Sequence, residues 1–406
     1  MVIEWLESLR KQGMKLGLEN TSLILSRLGN PQNDFPSIHV AGSNGKGTTC
    51  SILSNALSLL GLKIGLFTSP HLCNVEERIR IDGKQISNLE FMVHLKNLQH
   101  VCEITPKIQP TFYEATFITA MMYFSSEKID RAVIETGLGG RLDATRLVNA
   151  DCCILTQISL EHTDILGETL SEIAREKSAI AREGIPLIST WNDCESVRKM
   201  ISQAVSSDDL LEWYKPNEGE NFTTEAKNLA NLALTKLGYP SNCDEALKFT
   251  FWPGRMHIID YSQSFQIILD CAHNPSGMQR SLSEIKNHHN DINQIIFGCT
   301  EQEDLDNFLI PLVRFMRTVK IHNLILCEPV GGRTKGVETR VLKKYLHAYF
   351  PNLNFYEEQD TFNTVNKALS FPSKSKLLCI GSLYLIGNIL KILNLDDADS
   401  MTIFRK

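Results

Sequence analysis

A glycine-rich turn near the N-terminus carries the residues best suited to binding phosphate. An apolar stretch at 38–40 precedes the turn, and residues 49–60 after it have apolar side chains at helical spacing. A turn between a strand and a helix presents backbone N–H groups to an anion, and a lysine placed here reaches the terminal phosphates. The segment therefore predicts binding of a nucleoside triphosphate by Asn44, Gly45, Lys46, Gly47 and Thr48.

This turn departs from the strict phosphate-loop pattern at two positions. Val40 stands where the pattern has its first glycine, and Gly47 follows the lysine where a serine or threonine is expected. Thr48 comes one place late. On this segment alone, an ordinary glycine-rich turn between a strand and a helix stays an alternative.

Three other residues could take part in phosphate chemistry. Glu135 ends the apolar run 132–134 and His162 follows the run 153–158, so both can project from the carboxyl edge of a parallel sheet. A carboxylate suits Mg²⁺, whereas a lone histidine is more often a structural residue because Mg²⁺ prefers oxygen ligands. Lys177 lies in a predicted helix, where a lysine is usually on a solvated face.

The elements that position these residues are short apolar runs separated by helix-length segments. This alternation predicts an α/β fold with mostly parallel sheets, and turn residues near 240 and 253 mark a boundary before a second series of strands. We expect a larger N-terminal domain, 1–249, and a smaller C-terminal α/β domain, 250–406. The predicted strands lie at 38–40, 64–67, 132–135, 152–157, 186–190, 265–269, 295–297, 323–327 and 377–380.

Composition excludes several classes of protein. The 406 residues are 43 % hydrophobic and 22 % charged, typical of a folded globular chain, and the net charge of −6 with no basic run argues against nucleic acid. Eleven cysteines without a CxxC pair fit a reducing compartment. Because no apolar run reaches the ~18 residues of a membrane span, we expect a cytoplasmic protein with small-molecule partners and no membrane partner.

The departures in the glycine-rich turn are themselves informative. GSNGKGT at 42–48 resembles the ATP loop of the Mur ligase superfamily, and specifically of its folylpolyglutamate synthase/dihydrofolate synthase branch. Further segments resemble that branch in its order along the chain: TSPHL at 68–72, ERIRI at 77–81, ETGLGGRLDAT at 135–145, EHTDILG at 161–167, EKSAI at 176–180, WPGR at 252–255, DCAHNP at 270–275 and GSLY at 381–384. Together they span nearly the whole chain.

The resemblance implies a Mur-ligase-like ATPase domain followed by a glutamate ligase domain. It implies an ADP-forming ligase that joins L-glutamate to a folate-type carboxylate, dihydropteroate or tetrahydrofolate, through an acyl phosphate, and we expect a monomer. It also implies that Lys46, His162 and Lys177 are catalytic and that Mg²⁺ is bound by Ser69, Glu135, His162 and a carbamylated Lys177.

The remaining implied contacts belong to ATP and to the folate. The resemblance adds Asn228, Arg255 and Asp270 to the ATP site. For the folate it implies Met14, Lys15, Leu16, Thr111, Phe112, Tyr113, Glu114, Leu142, Asp143 and Ala144, although Phe112 and Tyr113 could equally be core residues.

Two features depart from the family pattern. Thr145-Arg146 replaces the usual Thr-Asn, which places a bulky cation beside the substrate loop, and the stretch 191–224 is shorter than the small sheet that the family inserts there. The alternatives are a Mur-type ligase acting on another acid and a non-catalytic ATP-binding protein. Joint retention of Glu135, His162 and Lys177 argues against the non-catalytic alternative.

Overall fold

The chain divides into two compact units. The computed structural model describes residues 2–10, 13, 17–289, 291–332, 334–358, 360–371 and 375–405. Unit 1 comprises the residues up to Phe251 together with the segment that starts at Thr402. Unit 2 is Trp252–Met401.

Unit 1 is built on a mostly parallel sheet. Its strands are β1 Ser37–Ala41, β2 Ile64–Phe67, β3 Ile79–Ile81, β4 Lys84–Gln85, β5 Arg131–Glu135, β6 Ala150–Leu155, β7 Leu187–Thr190 and β8 Leu211–Tyr214. They lie in the order β4-β3-β2-β5-β1-β6-β7-β8. All neighbouring pairs from β2 to β8 are parallel, and β3 and β4 add an antiparallel edge. The carboxyl ends of β5, β1 and β6 therefore lie side by side.

Helices cover this sheet and bury its apolar strands. They are α1 Val2–Arg10, α2 Glu19–Arg27, α3 Lys46–Leu59, α4 Asn88–Glu103, α5 Phe112–Ser126, α6 Thr163–Leu166, α7 Leu170–Ser178, α8 Glu195–Ser202, α9 Phe222–Lys236 and α10 Cys243–Phe249. Short 3-10 helices occupy Pro31–Asn33, Val75–Arg78, Ala144–Leu147 and Asp208–Leu210. Every residue of β1 and β5 is buried, as expected for central strands covered on both faces.

Unit 2 repeats the α/β plan with a smaller sheet. Its strands are β9 His257–Ser262, β10 Phe265–Asp270, β11 Gln294–Phe297, β12 Asn323–Leu326, β13 Asn354–Glu357 and β14 Ser375–Ile380, and its helices are α11 Pro275–His288, α12 Leu305–Met316, α13 Thr339–Tyr349, α14 Thr361–Leu369 and α15 Leu383–Ile392. The strand order is β13-β12-β11-β14-β10-β9. Only β9 runs antiparallel to its neighbour among these paired strands. The predicted α/β fold with two mostly parallel sheets is confirmed.

The end of the chain corrects the expected second domain. Residues 402–405 were expected in the C-terminal domain, but Ile403 is fully buried in unit 1. Its backbone forms hydrogen bonds with the β3–β4 hairpin and with the residue that ends the first part of unit 1. The Ile403 N–H donates to the Gly83 carbonyl at 3.1 Å, and its own carbonyl accepts from the N–H of Phe251 at 2.9 Å. The Asn55 amide of α3 donates to the same carbonyl at 3.1 Å. These hydrogen bonds and the burial of Ile403 therefore place this segment in unit 1, although it follows unit 2 in the sequence.

Two expectations about thiols and membranes can be compared with the structure. All eleven cysteines are free thiols, and all except Cys194 are buried. Among the helices in the described part of the chain, none combines the length and the apolar character needed to cross a bilayer.

Candidate active site around the phosphate loop

The glycine-rich turn lies between β1 and α3, as the sequence predicts. Gly42 has φ +140°, and a Cβ at this position would approach the Oγ1 of Thr156 to 1.9 Å, so only glycine fits. Gly45 precedes α3 with φ +88°, and within the described residues no side chain caps this helix. The first backbone N–H groups of α3 are therefore available to an anion.

The loop that follows β6 supports the phosphate loop from one side. The Ser43 N–H donates to the Gln157 carbonyl at 2.8 Å, and its hydroxyl both donates to the Ser159 carbonyl and accepts from the Ser159 N–H. The amide of Asn44 donates to the Ser159 hydroxyl at 3.3 Å. These bonds fix the phosphate loop against the segment that leads to His162.

Two lysine ammonium groups meet on one carbonyl oxygen of the phosphate loop. Lys46 Nζ donates to the carbonyls of Gly42 and Ser43 at 2.9 and 3.1 Å. Lys177 Nζ, from α7, donates to the same Gly42 carbonyl at 2.9 Å and to Glu161 Oε1 at 2.8 Å. The Lys177 side chain is only 2 % exposed. The expectation of a solvated face for Lys177 is therefore wrong, because α7 turns this residue toward the loop.

Burial and charge act in opposite directions on this ion pair. Burial lowers the pKa of Lys177 from its ordinary value and Lys46 lowers it further, while Glu161 opposes both. For Glu161, burial alone would raise the pKa, but the ammonium groups of Lys177 and Lys46 outweigh it and lower the pKa to about 2. Glu161 is thus held as a carboxylate between two cations, and Lys177 loses its proton more readily than an exposed lysine.

Glu135 and Ser69 lie together on the other side of β1. Val40 of β1 pairs with Glu135, the last residue of β5, which places this carboxylate beside the phosphate loop. The Ser69 N–H donates to Glu135 Oε2 at 3.0 Å, and Glu135 is buried. Ser69 and Glu135, both expected to bind Mg²⁺, are therefore in direct contact with each other.

His162 lies beyond β6, on the opposite side of β1 from Glu135. It has a left-handed backbone with φ 49° immediately before α6, and burial lowers its pKa, which keeps the imidazole neutral near pH 7. A neutral imidazole is the form that binds a metal.

The donor set fits a magnesium–nucleotide complex rather than a metal site made of protein alone. No cluster of three histidine, cysteine or carboxylate side chains arranged to hold a metal occurs among the described residues. Mg²⁺ usually keeps several waters and is bound through one or two carboxylates plus substrate phosphates. Glu135, at the strand end next to the phosphate loop, provides such a carboxylate.

The residues expected to contact the folate are mostly engaged with other parts of the protein. Thr111 and Glu114 form the capping box of α5, and Glu114 also accepts from the buried Thr21 hydroxyl at 2.7 Å. The Phe112 ring lies beside His71 and under the Arg10 guanidinium, 4.1 Å from its centroid. Leu142 is half-buried, Ala144 is buried, and Met14, Lys15 and Leu16 lie outside the described residues.

Asp143 accepts five hydrogen bonds from the chain. Its donors are the N–H groups of Gly137 and Leu138, both at 2.9 Å, the N–H and hydroxyl of Thr145, and the Tyr113 hydroxyl at 3.0 Å. Two carboxylate oxygens offer about four lone-pair sites. The side chain thus has no accepting capacity left for a substrate in this conformation.

The remaining expected ATP residues are divided between the two units. In unit 1, Asn228 of α9 donates to the Tyr214 hydroxyl at 2.7 Å. In unit 2, Arg255 is exposed in its turn, and the buried Asp270 accepts from the N–H groups of Met256 and Ala272 at 3.1 and 3.0 Å. Asp270 therefore stabilises the turn that follows Arg255.

Sequence reasoning missed Glu161 and the role of Arg146. Glu161 lies next to His162 in the segment 161–167, which resembles the family, and this position is the signal that could have identified it as a site residue. Arg146 was expected to face the substrate loop. Its guanidinium instead donates to the carbonyls of Ala179 and Ala181, just after α7, at 2.9 and 3.1 Å.

Comparison with known proteins agrees with this architecture. Residues 40–208 match the Mur ligase middle domain family. The dihydrofolate synthetase of Saccharomyces cerevisiae is 30 % identical over 445 residues, covering 94 % of this chain and 98 % of that protein. The dihydrofolate synthase/folylpolyglutamate synthase of Bacillus subtilis is 28 % identical over 435 residues, covering 95 % and 97 %.

Solved structures have the same fold along almost the whole chain. E. coli FolC in complex with ADP, without folate substrate, has a TM-score of 0.83 and 25 % identity, covering 97 % of each chain. A bifunctional folylpolyglutamate synthase/dihydrofolate synthase with Mn, AMPPNP and L-glutamate bound has a TM-score of 0.82 and 25 % identity, covering 97 % of this chain and 98 % of that one. The chain therefore belongs to the dihydrofolate synthase/folylpolyglutamate synthase family of Mur-type ligases.

Proposed function

We propose that this protein is an ATP-dependent ligase that forms an amide between L-glutamate and a folate-type carboxylate, dihydropteroate and/or tetrahydrofolate. The observation that carries the proposal is the meeting of Lys46 and Lys177 on the Gly42 carbonyl, with Glu135 on the adjacent strand end. Such a site supplies the positive charge of Lys46 for a triphosphate and the carboxylate of Glu135 for its magnesium ion. The family relatives named above carry this activity in their names.

ATP is needed because a carboxylate is a poor electrophile. An oxygen of the folate-type carboxylate attacks the γ-phosphorus of ATP, ADP leaves, and an acyl phosphate forms. The neutral amine of glutamate then attacks the acyl carbon, and phosphate departs with the electron pair of the C–O bond. The amine gives up its proton, and the products are the amide, ADP and phosphate.

The chain's own residues serve the first of these steps. Lys46 leaves the loop carbonyls and binds the oxygens of the transferring phosphoryl group, while the N–H groups at the start of α3 bind the remaining phosphates. Ser69, Glu135 and His162 would hold Mg²⁺, and the Ser69 N–H orients the Glu135 carboxylate. When bound, the metal supplies charge that neutralises the phosphate oxygens during transfer.

Lys177 is proposed to act as a carbamate. Its lowered pKa favours the neutral amine, which adds to CO₂ with loss of one proton. The carbamate is an anion beside the Glu161 carboxylate, so the two repel unless a cation lies between them. We therefore expect carbamylation to require Mg²⁺, and ¹³C NMR of enzyme held in ¹³C-bicarbonate with and without Mg²⁺ measures this directly. A carbamate signal of equal intensity without Mg²⁺ contradicts the requirement, and no signal under either condition contradicts the carbamate.

Further contacts are proposed for ATP and for the folate-type acid. Asn228, together with Arg255 and Asp270 of unit 2, is proposed to contact ATP, and Phe112, Leu142 and Ala144 are proposed to line the folate site. The free and mostly buried thiols support a cytoplasmic location. A monomer is also proposed, and gel filtration against standards tests this.

Release of ADP, followed with a coupled assay, tests the activity. The proposal predicts rapid ADP release only when a folate-type acid and L-glutamate are both present, with an amide product one glutamate heavier by mass spectrometry. ADP release that is equally fast with neither acid nor glutamate would contradict ligation.

A further inference from the structure

The tyrosine that ends β8 connects a surface turn to a residue proposed to contact ATP. The Asn228 amide of α9 donates to the Tyr214 hydroxyl at 2.7 Å, and this hydroxyl in turn donates to Glu220 Oε1. All three side chains are half-buried. Tyr214 and Glu220 lie in the stretch 191–224, where the chain departs from the family pattern. The three residues therefore form a chain of hydrogen bonds that begins at a carboxylate and ends at the amide of Asn228.

The Glu220 carboxylate fixes the direction of the first bond. Its Oε2 accepts from the backbone N–H and the side-chain amide of Asn217 at 3.2 and 3.1 Å, which holds the carboxylate in its turn. A carboxylate only accepts, so the Tyr214 hydroxyl gives its one proton to Glu220. Burial and the bond to Glu220 raise the pKa of Tyr214 to about 12, so the hydroxyl keeps this proton near pH 7.

The hydroxyl then fixes the orientation of the Asn228 amide. With its proton committed to Glu220, the Tyr214 oxygen can only accept from Asn228, which places the NH₂ group of the amide on the tyrosine side. The other branch of the amide is the carbonyl oxygen Oδ1, which offers an acceptor away from Tyr214. An asparagine without such a chain can rotate its amide and present either group.

The start of α9 lies at the same edge of the sheet as the phosphate loop. Helices α3 and α9 follow β1 and β8, two strands of the parallel part of the sheet, and they pack against each other. The Thr190 hydroxyl at the end of β7 donates to Glu225 in the first turn of α9 at 3.2 Å. A nucleotide with its phosphates at the start of α3 can therefore extend its base along this edge toward Asn228.

We propose that Tyr214 and Glu220 are positioning residues that hold Asn228 with its amide oxygen toward the base of ATP. In this orientation the oxygen accepts from the exocyclic amine of adenine and rejects a purine that carries a carbonyl at the same position. This assignment rests on the ATP contact of Asn228 proposed above. A site built for one hydrogen bond discriminates against the analogue that cannot form it, because two acceptors then face each other without a proton.

Binding of two diphosphates tests the orientation. Inosine diphosphate (IDP) carries a carbonyl oxygen where ADP carries the amine, and isothermal titration calorimetry in Mg²⁺ gives Kd for each. Tyr214→Phe removes the hydroxyl, and its control is Tyr239→Phe, just beyond the other end of α9. Glu220→Gln removes the carboxylate, and its control is the exposed Glu218→Gln, which removes the same charge from the same turn.

Glu220→Gln should reverse the chain of hydrogen bonds. The two donors of Asn217 hold the amide oxygen of the new glutamine, so its NH₂ group faces Tyr214. The tyrosine hydroxyl then accepts from this group and donates to Asn228 Oδ1. As a result, the NH₂ group of Asn228 turns toward the base and suits the carbonyl of IDP.

We expect the parent to bind ADP at least about tenfold more tightly than IDP. Tyr214→Phe should bring the ratio of the two Kd values to about one, because the amide can then present either group. Glu220→Gln should invert the ratio in favour of IDP. Both controls should keep the parent ratio.

Three results would overturn the positioning role: a parent that binds both nucleotides equally, an unchanged ratio in Glu220→Gln, or an equal loss of affinity for both nucleotides in Tyr214→Phe. The last of these would identify a purely structural tyrosine. If Tyr214→Phe does not fold by circular dichroism, the ratio in Glu220→Gln decides, because this change lies in a surface turn.

The titrations do not require ligation, so they separate this inference from the proposed function. A parent that binds ADP selectively but forms no amide contradicts the proposed function alone. A parent that ligates but does not discriminate between ADP and IDP contradicts the positioning role alone. Absence of ADP binding contradicts both.

Discussion

Replacing Glu161 by glutamine should destabilise unit 1 by about 3 kcal/mol at pH 7. The Glu161–Lys177 pair is 10 % and 2 % exposed, so the variant leaves a buried ammonium without its counter-charge. A fall in the pKa of Glu161 from 4.5 to about 2 corresponds to about 3 kcal/mol at 1.36 kcal/mol per tenfold change. Breaking a buried ion pair by removing one partner typically costs about 3–5 kcal/mol, in agreement.

The sign of the pH dependence follows from the same pKa. Because the folded pKa of Glu161 is lowered, its stabilisation is complete above pH 4.5 and is lost as the pH falls toward 2. At pH 3.5, about 1.4 kcal/mol should already be gone, so the difference between parent and variant should shrink by about half. The lowered pKa of Lys177 adds stability as the pH rises through it, because the unfolded state then binds more protons.

Urea unfolding of metal-free protein in EDTA, followed by tryptophan fluorescence, measures these differences. Glu127→Gln is the matched control, because its pair with Lys63 has the same 2.8 Å distance but is 36–39 % exposed. It should cost at most about 1 kcal/mol. The double variant Glu161→Gln/Lys177→Met should recover stability, since a buried pair can be replaced by neutral groups at little cost. Equal stability of Glu161→Gln and Glu127→Gln at pH 7 would refute the reasoning.

Three further outcomes are expected. Lys46→Ala should fold as the parent does and lose at least about 100-fold in ligation, because this lysine serves charge rather than packing, and near-normal turnover would exclude the nucleotide assignment. Glu135→Gln should lower turnover and raise the Mg²⁺ concentration needed for half-maximal rate, whereas an unchanged Mg²⁺ requirement would place the metal elsewhere. Ile403→Asp should destabilise unit 1 by at least about 3 kcal/mol, because it puts a charge at a fully buried position, and unchanged urea unfolding would show that the C-terminal segment is dispensable.

The sequence predicted the elements whose signal is local. The phosphate loop was predicted because glycines, a strand and a helix are adjacent in the chain. Buried parallel strands such as β1 and β5 were predicted within about one residue because they are continuous apolar runs. Strands β8 and β13 were not predicted, because they are half-exposed and mix polar with aromatic residues.

The rest of the site depends on contacts that no local pattern records. Lys177 meets Gly42 across 135 residues of sequence, and helical spacing does not show that α7 turns this side chain inward. The saturation of Asp143 depends on donors from three separate segments. The return of Ile403 to unit 1 is likewise a tertiary contact between distant parts of the chain.

Isotope transfer tests the central claim of acyl phosphate chemistry most directly. A folate-type acid labelled with ¹⁸O in its reacting carboxylate is incubated with ATP, L-glutamate and the enzyme, and the released phosphate is analysed by mass spectrometry. Since the carboxylate oxygen that attacks the γ-phosphorus leaves with the phosphate, each amide formed should yield one phosphate carrying a single ¹⁸O from a fully labelled acid. Amide formation accompanied by unlabelled phosphate would contradict the account.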